Sequence, residues 1–134
     1  MPLLVYPEVS SIVVLCIDDS QAMLECERAF LETFGFTVLT ASSGGVGLEL
    51  ASVHPVDVVI LDMPAMNGPE VARAVKRVRP LAPIILLTEG LKVPNQTLDL
   101  VDALVEKNCL ASQLLPAIAH SRGYGRIPPV VYNA

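Results

Sequence analysis

Short apolar runs rich in Val, Ile and Leu recur along the chain, separated by stretches long enough to form helices. Runs of this length and composition are typical of strands that are buried on both faces of a sheet. Alternation of such strands with helices predicts an α/β domain with a parallel sheet and helices on both faces. The predicted strands are Ile12–Ile17, Thr37–Thr40, Val56–Leu61, Pro83–Thr88 and Ala103–Glu106.

The segments between the strands carry start and stop signals of helices. Ser20 and Ser43 stand where they can cap the first two helices, and Gly35 follows the first as a stop signal. Pro116 falls inside the last predicted helix, where the lost hydrogen bond costs about 3 kcal/mol, so we expect a kink or an early end there. The predicted helices are Gln21–Phe34, Gly44–Val53, Pro69–Val78, a short and weak Pro94–Val101, and Cys109–Ser121 with Asn108 as its cap.

The length of 134 residues, of which 52% are hydrophobic, fits one domain with a substantial core. We predict an N-terminal extension over residues 1–10, a single folded domain over 11–121, and a C-terminal tail or linker over 122–134. The last segment mixes Gly and Pro with few apolar residues, which disfavours a regular element.

The net charge, the apolar runs and the cysteines argue against several classes of function and location. A net charge of −5 argues against non-specific binding to nucleic acid or to a membrane surface. The apolar runs are all shorter than the roughly 18 residues of a membrane-spanning helix. Cys16 and Cys26 lack the spacing of a disulfide framework, so we interpret them as small core residues in a reducing compartment. Because the N-terminus also lacks the charged region of a signal peptide, we expect a cytoplasmic protein.

Polar residues follow four of the five predicted strands. Asp18 and Asp19 follow the first strand, Asp62 the third, Thr88 ends the fourth, and Lys107 follows the fifth. In a parallel sheet these strand ends meet at one edge, where ligands bind. Three clustered carboxylates repel one another, and a divalent cation together with one ammonium group would offset that repulsion. The sequence therefore predicts an acidic cation site at this edge.

The residue types at this edge indicate a particular chemistry. Hard carboxylate oxygens with access to water suit Mg²⁺. A metal ion beside a carboxylate can neutralise an incoming phosphoryl group, and Thr88 and Lys107 add a hydroxyl donor and a fixed positive charge. The set therefore suits phosphoryl transfer onto an aspartate.

Five motifs between about Ile12 and Ser121 carry a family resemblance: VLCIDDS, GFTVLTASSG, VDVVILDMPAMNG, IILLT and LVEKN. In this combination they resemble the receiver domain of bacterial response regulators, the chemotaxis type included. The resemblance implies a flavodoxin-like, doubly wound sheet of five parallel strands in the order 2-1-3-4-5, flanked by five helices. It also assigns the predicted domain over 11–121 as the receiver.

The resemblance implies a role for each residue at the strand ends. Asp62 corresponds to the phosphoacceptor, and Asp18 and Asp19 correspond to the acidic pair that binds Mg²⁺, with Asp19 as the direct ligand. Thr88 corresponds to the switch hydroxyl, and Lys107 to the lysine that contacts the phosphoryl group. In the family, the residue two positions after the acceptor binds the metal through its backbone carbonyl. Pro64 occupies that position here.

Several positions depart from the family pattern. Met63 follows Asp62 directly where the family usually has two intervening residues, so the acceptor loop is about two residues short. Pro64 can supply the carbonyl to the metal, but it has no N–H for a phosphoryl oxygen. Glu89 replaces the usual small residue after the switch threonine, and its carboxylate would repel a phosphoryl group. Other changes lie on the face around the fourth helix and the fifth strand: a short stretch from Thr88 to Lys107, Leu104 at the aromatic switch position, and Asn108 after the lysine.

Two functional hypotheses follow. The first is a receiver that accepts a phosphoryl group on Asp62 from a sensor histidine kinase or phosphotransfer protein and signals to a downstream protein partner. Its only enzymatic activities would be self-phosphorylation and self-dephosphorylation. The sequence leaves open whether the chain forms a homodimer. The alternative is an atypical pseudo-receiver, a binding module with weak or no phosphorylation, for which Pro64 and Glu89 are the reasons. A haloacid-type phosphatase would need an acid at position 64.

Overall fold

The computed structural model describes residues 12–62, 68–89, 93 and 95–122. The predicted extension over 1–10, the acceptor loop with Pro64, and the tail beyond Arg122 lie outside the described residues. The strands are β1 (Val13–Ile17), β2 (Thr37–Ala41), β3 (Val58–Asp62), β4 (Ile84–Thr88) and β5 (Ala103–Glu106). The helices are α1 (Gln21–Thr33), α2 (Gly44–Val53), α3 (Gly68–Val78), α4 (Asn95–Leu98) and α5 (Leu110–Ser121), with a 3₁₀ helix over Lys107–Cys109.

The five strands form one parallel sheet in the order β2-β1-β3-β4-β5. The predicted α/β class and the strand order implied by the resemblance are confirmed. The chain first moves from β1 to β2 on one side and then crosses to β3 on the other. The carboxyl ends of β1 and β3 therefore flank the point where the winding direction changes, which is the usual ligand position in such sheets.

Helices cover both faces of the sheet, and alternate strand residues point into two separate cores. Val14 and Cys16 of β1 pack in the core that α1 and α5 cover. Leu15 and Ile17 pack in the core that α2 and α3 cover. Burial on both faces explains why the strands appear in the sequence as continuous apolar runs. Within the ranges that the structure describes, every helix is too short or too polar to cross a lipid bilayer.

The predicted helix caps of the first half of the chain are confirmed. The Ser20 hydroxyl accepts a hydrogen bond from the backbone N–H of Met23, and the Ser43 hydroxyl accepts one from Val46, each at 3.2 Å. Gly35 follows α1 with a φ of 96°, a left-handed conformation that costs glycine little.

Three predictions about the helices in the second half of the chain need correction. Of the kink or early end predicted at Pro116, the early end does not occur, because α5 runs on to Ser121. The cap predicted at Asn108 is also wrong, because Asn108 lies in the 3₁₀ helix and Cys109 occupies the N-cap position of α5. Helix α4 has four residues and is shorter than predicted. Tertiary packing keeps α5 helical despite Pro116. Four buried side chains lie within three residues of the proline: Leu114, Leu115, Ile118 and Ala119.

The buried face of α1 differs from the predicted one. Cys16 is buried as expected, but Cys26 is exposed, so its assignment to the core was wrong. The buried side chains of α1 are Leu24, Glu27 and Leu31, at the i, i+3, i+7 spacing of one helix face. A carboxyl group therefore occupies a core position on this helix.

Helix α2 approaches β1 so closely that one of its glycines cannot carry a side chain without strain. A Cβ atom on Gly47 would lie 2.5 Å from Cδ1 and 2.8 Å from Cγ1 of Ile17, which is 1% exposed. We expect Gly47→Ala to lower the free energy of unfolding by about 1–3 kcal/mol, as overpacked cores do. Urea denaturation measures this.

Gly45 supplies the matched control for this prediction. A Cβ atom there meets nothing within 4 Å, so Gly45→Ala should raise the free energy of unfolding by about 0.5–1 kcal/mol through helix propensity alone. Equal effects of the two substitutions would show that the approach of α2 to β1 is not tight.

Candidate functional site

Three carboxyl groups meet at the carboxyl edge of the sheet. Asp62 is the last residue of β3, and Asp18 and Asp19 follow the neighbouring strand β1. One carboxylate oxygen from each of the three lies within 4.8 Å of the others. Asp18 and Asp62 are buried, while Asp19 is exposed. The structure thus brings together the three acids that the sequence predicted to converge, with one of them open to solvent.

Lys107 reaches this acidic group from the far side of β4. It begins the 3₁₀ helix that follows β5, and its Nζ lies 2.8 Å from Oδ1 of Asp62. The side chain of Lys107 is 17% exposed and that of Asp62 is 2% exposed. Because the pair is largely shielded from water, the ammonium group offsets part of the negative charge of the acidic group.

The electrostatics of Asp18 favour a cation. Its Oδ1 accepts a hydrogen bond of 2.8 Å from the backbone N–H of Ser20. Its Oδ2 is buried, and none of the described residues donates a hydrogen bond to that oxygen. Burial raises the pKa of Asp18; the Ser20 hydrogen bond and Lys107 counteract this, and the charge of Asp62 adds to it. A buried, unpartnered carboxylate oxygen beside two further acids suits a hard divalent ion such as Mg²⁺.

Lys107 stays positively charged at neutral pH. Burial lowers the pKa of its ammonium group, but the hydrogen bond and charge of Asp62 together with the charges of Asp18 and Glu89 outweigh that effect. The pKa of Lys107 is therefore raised above its usual value. A fixed positive charge therefore stands against Asp62 at any physiological pH.

Thr88 and an open cleft lie beside this ion pair. Thr88 ends β4 and is 7% exposed, one residue beyond Leu87, which pairs with Asp62 across the sheet. Glu89 is exposed and lines the opening beside Lys107. A cleft of about 300 Å³ opens here, lined by Thr88, Glu89, Glu106, Lys107 and Asn108. The cleft gives a small anionic group room next to the ammonium of Lys107.

Comparison with known proteins identifies the family. The sequence model of the response regulator receiver domain matches residues 14–119. The chain belongs to this family. Receivers of this family are signalling modules of two-component systems rather than enzymes in the usual sense. The family resemblance drawn from the sequence motifs is thereby confirmed.

Three known proteins illustrate the relationship. The receiver is 33% identical over 84 residues to the transcriptional regulatory protein GlrR of Escherichia coli (strain K12), covering 61% of this chain and 19% of GlrR. It is 42% identical over 77 residues to the transcriptional regulatory protein KdpE of Mycobacterium tuberculosis (strain CDC 1551 / Oshkosh), covering 56% of this chain and 34% of KdpE. A solved receiver domain protein from Clostridium thermocellum is 30% identical, with a TM-score of 0.74 over 84% of this chain and 94% of that chain. The receiver thus spans about a third or less of these two curated relatives.

Sequence reasoning missed one titratable residue close to the receiver site. Glu27 of α1 is 0% exposed, and burial raises the pKa of its carboxyl group to about 7. The neighbouring thiol of Cys16 lowers this pKa, and the charges of Asp18 and Asp62 raise it further. The spacing of Leu24, Glu27 and Leu31 was the available signal, because it places the glutamate on the same helix face as two core leucines.

Proposed function

We propose that the chain is a two-component signalling receiver that accepts a phosphoryl group on Asp62 with Mg²⁺ and signals by protein contact. One observation carries the proposal. The Lys107 ammonium lies 2.8 Å from Asp62 Oδ1, at a site where carboxylates of Asp18 and Asp19 approach Asp62 within 4.8 Å. This is an acceptor carboxylate with a fixed cation on one side and a candidate divalent-ion site on the other.

The residues divide the chemistry between them. A carboxylate oxygen of Asp62 attacks the phosphorus atom of the donor, and the bond from phosphorus to the leaving group breaks. The leaving group takes the electron pair, and an acyl phosphate forms on Asp62. Lys107 pairs with an oxygen of the transferred group, and the Thr88 hydroxyl donates a hydrogen bond to another. Mg²⁺, when bound, neutralises charge on the phosphoryl oxygens.

Asp18, Asp19 and Asp62 would hold the ion. Mg²⁺ is commonly bound through one or two carboxylates and keeps several waters, which fits two buried acids and one exposed acid. The unpartnered Oδ2 of Asp18 supplies an oxygen that needs such a ligand. The backbone carbonyl of Pro64 is the further ligand that we propose from the family pattern.

The partners follow from this chemistry. The phosphoryl donor would be a sensor histidine kinase or a phosphotransfer protein, and the output would be contact with a downstream protein or a second copy of the chain. A net charge of −5 disfavours direct binding of this chain to nucleic acid or to a membrane. The three cysteines are free, which suits the reducing cytoplasm that we propose as the location.

Labelling with radioactive acetyl phosphate tests the proposal. The wild-type chain with saturating Mg²⁺ should incorporate up to one phosphoryl group, and the acetate should leave with the electron pair of the broken P–O bond. Asp62→Asn and removal of Mg²⁺ with a chelator should each abolish the label. Asp99→Asn, which removes an exposed carboxylate elsewhere, should label like the wild type.

The possible outcomes separate the two hypotheses. If the folded wild-type chain takes up no label at saturating Mg²⁺, it is a pseudo-receiver that binds partners without phosphorylation. If Asp62→Asn retains the label, the acceptor is another residue and the assignment of Asp62 is wrong.

A further inference from the structure

Lys107 reaches the acidic site from the end of an edge strand. In the described part of the sheet, β5 pairs with β4 and lies at the edge, and Lys107 follows its last residue. From there the side chain spans β4 to place Nζ 2.8 Å from Oδ1 of Asp62. An edge strand has a partner strand on one side only, and a lysine side chain is long and flexible. The contact with Asp62 therefore depends on how firmly the end of β5 is held.

A side chain of α5 holds this strand end. The backbone N–H of Glu106, the last residue of β5, donates a hydrogen bond of 3.1 Å to Oε1 of Gln113. The two residues are seven positions apart, so the bond ties the strand to the helix across the 3₁₀ helix that begins at Lys107. Because Glu106 directly precedes Lys107, the bond fixes the backbone from which the lysine side chain extends.

Gln113 is itself anchored by the core. Its neighbours on α5, Leu110 and Leu114, are buried in the core that α5 covers, and α5 packs against β5. A side chain on a packed helix holds its partner more precisely than one on a loop. Neither the 3₁₀ helix nor α5, both within the described ranges, has a side-chain hydrogen bond at its N-cap. The connection between β5 and α5 therefore relies on Gln113 rather than on local caps.

We propose that Gln113 is a positioning residue of the receiver site, whose side-chain oxygen fixes the end of β5 and thereby holds the ammonium group of Lys107 against Asp62. Gln113 acts on the reaction through the backbone of Glu106 and Lys107. Its effect on the rate of phosphoryl transfer rests on the proposed function. Its effect on the contact between Lys107 and Asp62 can be measured without phosphorylation.

NMR of the lysine ammonium groups measures that contact. In the cation-free wild-type chain, the ammonium group of Lys107 should give a ¹H–¹⁵N signal in slow exchange with water, because it is paired with Asp62 and its side chain is 17% exposed. The signal is assigned by its loss in Lys107→Met. Gln113→Met removes the acceptor but keeps the length of the side chain. It should speed the exchange about fivefold, the factor that corresponds to one neutral hydrogen bond.

Ser112→Ala is the matched control. The hydroxyl of Ser112 donates a hydrogen bond of 3.3 Å to the carbonyl oxygen of Cys109 in the exposed first turn of α5. Ser112→Ala removes a local bond beside Gln113 without affecting the end of β5, so the exchange of Lys107 should keep its wild-type rate. An unchanged exchange rate in folded Gln113→Met, or a wild-type chain without the slow signal, would overturn the proposal. Gln113→Ala lacks the same acceptor and replaces Gln113→Met if the latter does not fold.

Labelling with acetyl phosphate at saturating Mg²⁺ distinguishes this proposal from the proposed function. Gln113→Met should take up the label about fivefold more slowly than the wild type, whereas Ser112→Ala should keep the wild-type rate. No label on the folded wild-type chain would overturn the phosphoacceptor role of Asp62, and the ammonium exchange would then decide the role of Gln113. A wild-type labelling rate in Gln113→Met would overturn its role in the transfer and leave the proposed function intact.

Discussion

Replacing Lys107 with Met should lower the free energy of unfolding of the cation-free protein by about 3 kcal/mol at pH 7. The substitution removes the ammonium group 2.8 Å from Asp62 and leaves a carboxylate that is 2% exposed without its counter-charge. Removing one partner of a buried ion pair costs about 3–5 kcal/mol, and the 17% exposure of Lys107 places this pair at the lower end. Urea denaturation in the presence of a chelator measures the effect.

The double variant Lys107→Met with Asp62→Asn separates the charge effect from lost packing. Removing both charges should restore most of the lost stability, because no uncompensated carboxylate remains at that position. Saturating Mg²⁺ should also restore part of the stability of Lys107→Met. If Asp62→Asn restores nothing, the ion pair does not stabilise the site and the electrostatic account is wrong.

An exposed ion pair provides the comparison. Lys76 Nζ lies 3.1 Å from Oδ2 of Asp102, with side-chain exposures of 31% and 40%. Exposed pairs contribute about 0–1 kcal/mol, so Lys76→Met should cost clearly less than Lys107→Met. The difference between the stability losses of Lys107→Met and Lys76→Met measures the effect of burying an ion pair.

Replacing Glu27 with Leu should raise the free energy of unfolding at pH 8 by about 3 kcal/mol. The pKa of Glu27 is about 7 in the folded chain, against a reference value of 4.5. Between these values the unfolded chain binds fewer protons than the folded chain, so stability falls as pH rises from 4.5 to 7. Above pH 7 Glu27 is ionised in both the folded and the unfolded chain, and its full destabilising effect on the folded chain remains. Below pH 4.5 Glu27 is protonated in both states, and this destabilising effect disappears.

Denaturation with urea at pH values from 4 to 8 checks this prediction. Glu27→Leu should show a smaller decline with pH than the wild type. Part of the decline should persist, since the raised pKa of Asp18 acts in the same direction. Glu25→Leu on the exposed side of α1 should shift stability by no more than about 0.5 kcal/mol. A wild-type profile that Glu27→Leu leaves unchanged would mean that Glu27 carries no electrostatic cost.

The two predictions describe one arrangement. The acidic site holds more negative charge than Lys107 alone can compensate, and the charges of Asp18 and Asp62 add to the cost of ionising the buried Glu27.

The sequence by itself determined the architecture and the place of the site. Strands that are buried on both faces need apolar residues at every position, so their runs stand out between helices. Because the carboxyl ends of parallel strands share one edge, Asp18, Asp62 and Lys107 could be placed together without coordinates. The family motifs added the strand order.

Only the tertiary structure decided which side chains these elements bury and where the long ones reach. Local spacing places Glu27 on one helix face with Leu24 and Leu31, but it could not show that this face is buried and Cys26 exposed, because that choice depends on how the helix is rotated against β1. Nor could helix propensity show that α5 continues past Pro116, since packing of its buried side chains outweighs the lost hydrogen bond. The contact of Lys107 with Asp62 likewise depends on one side chain spanning β4. Patterns along a chain determine periodicity and strand ends, whereas burial and charge pairing arise from distant segments that meet only when the chain folds.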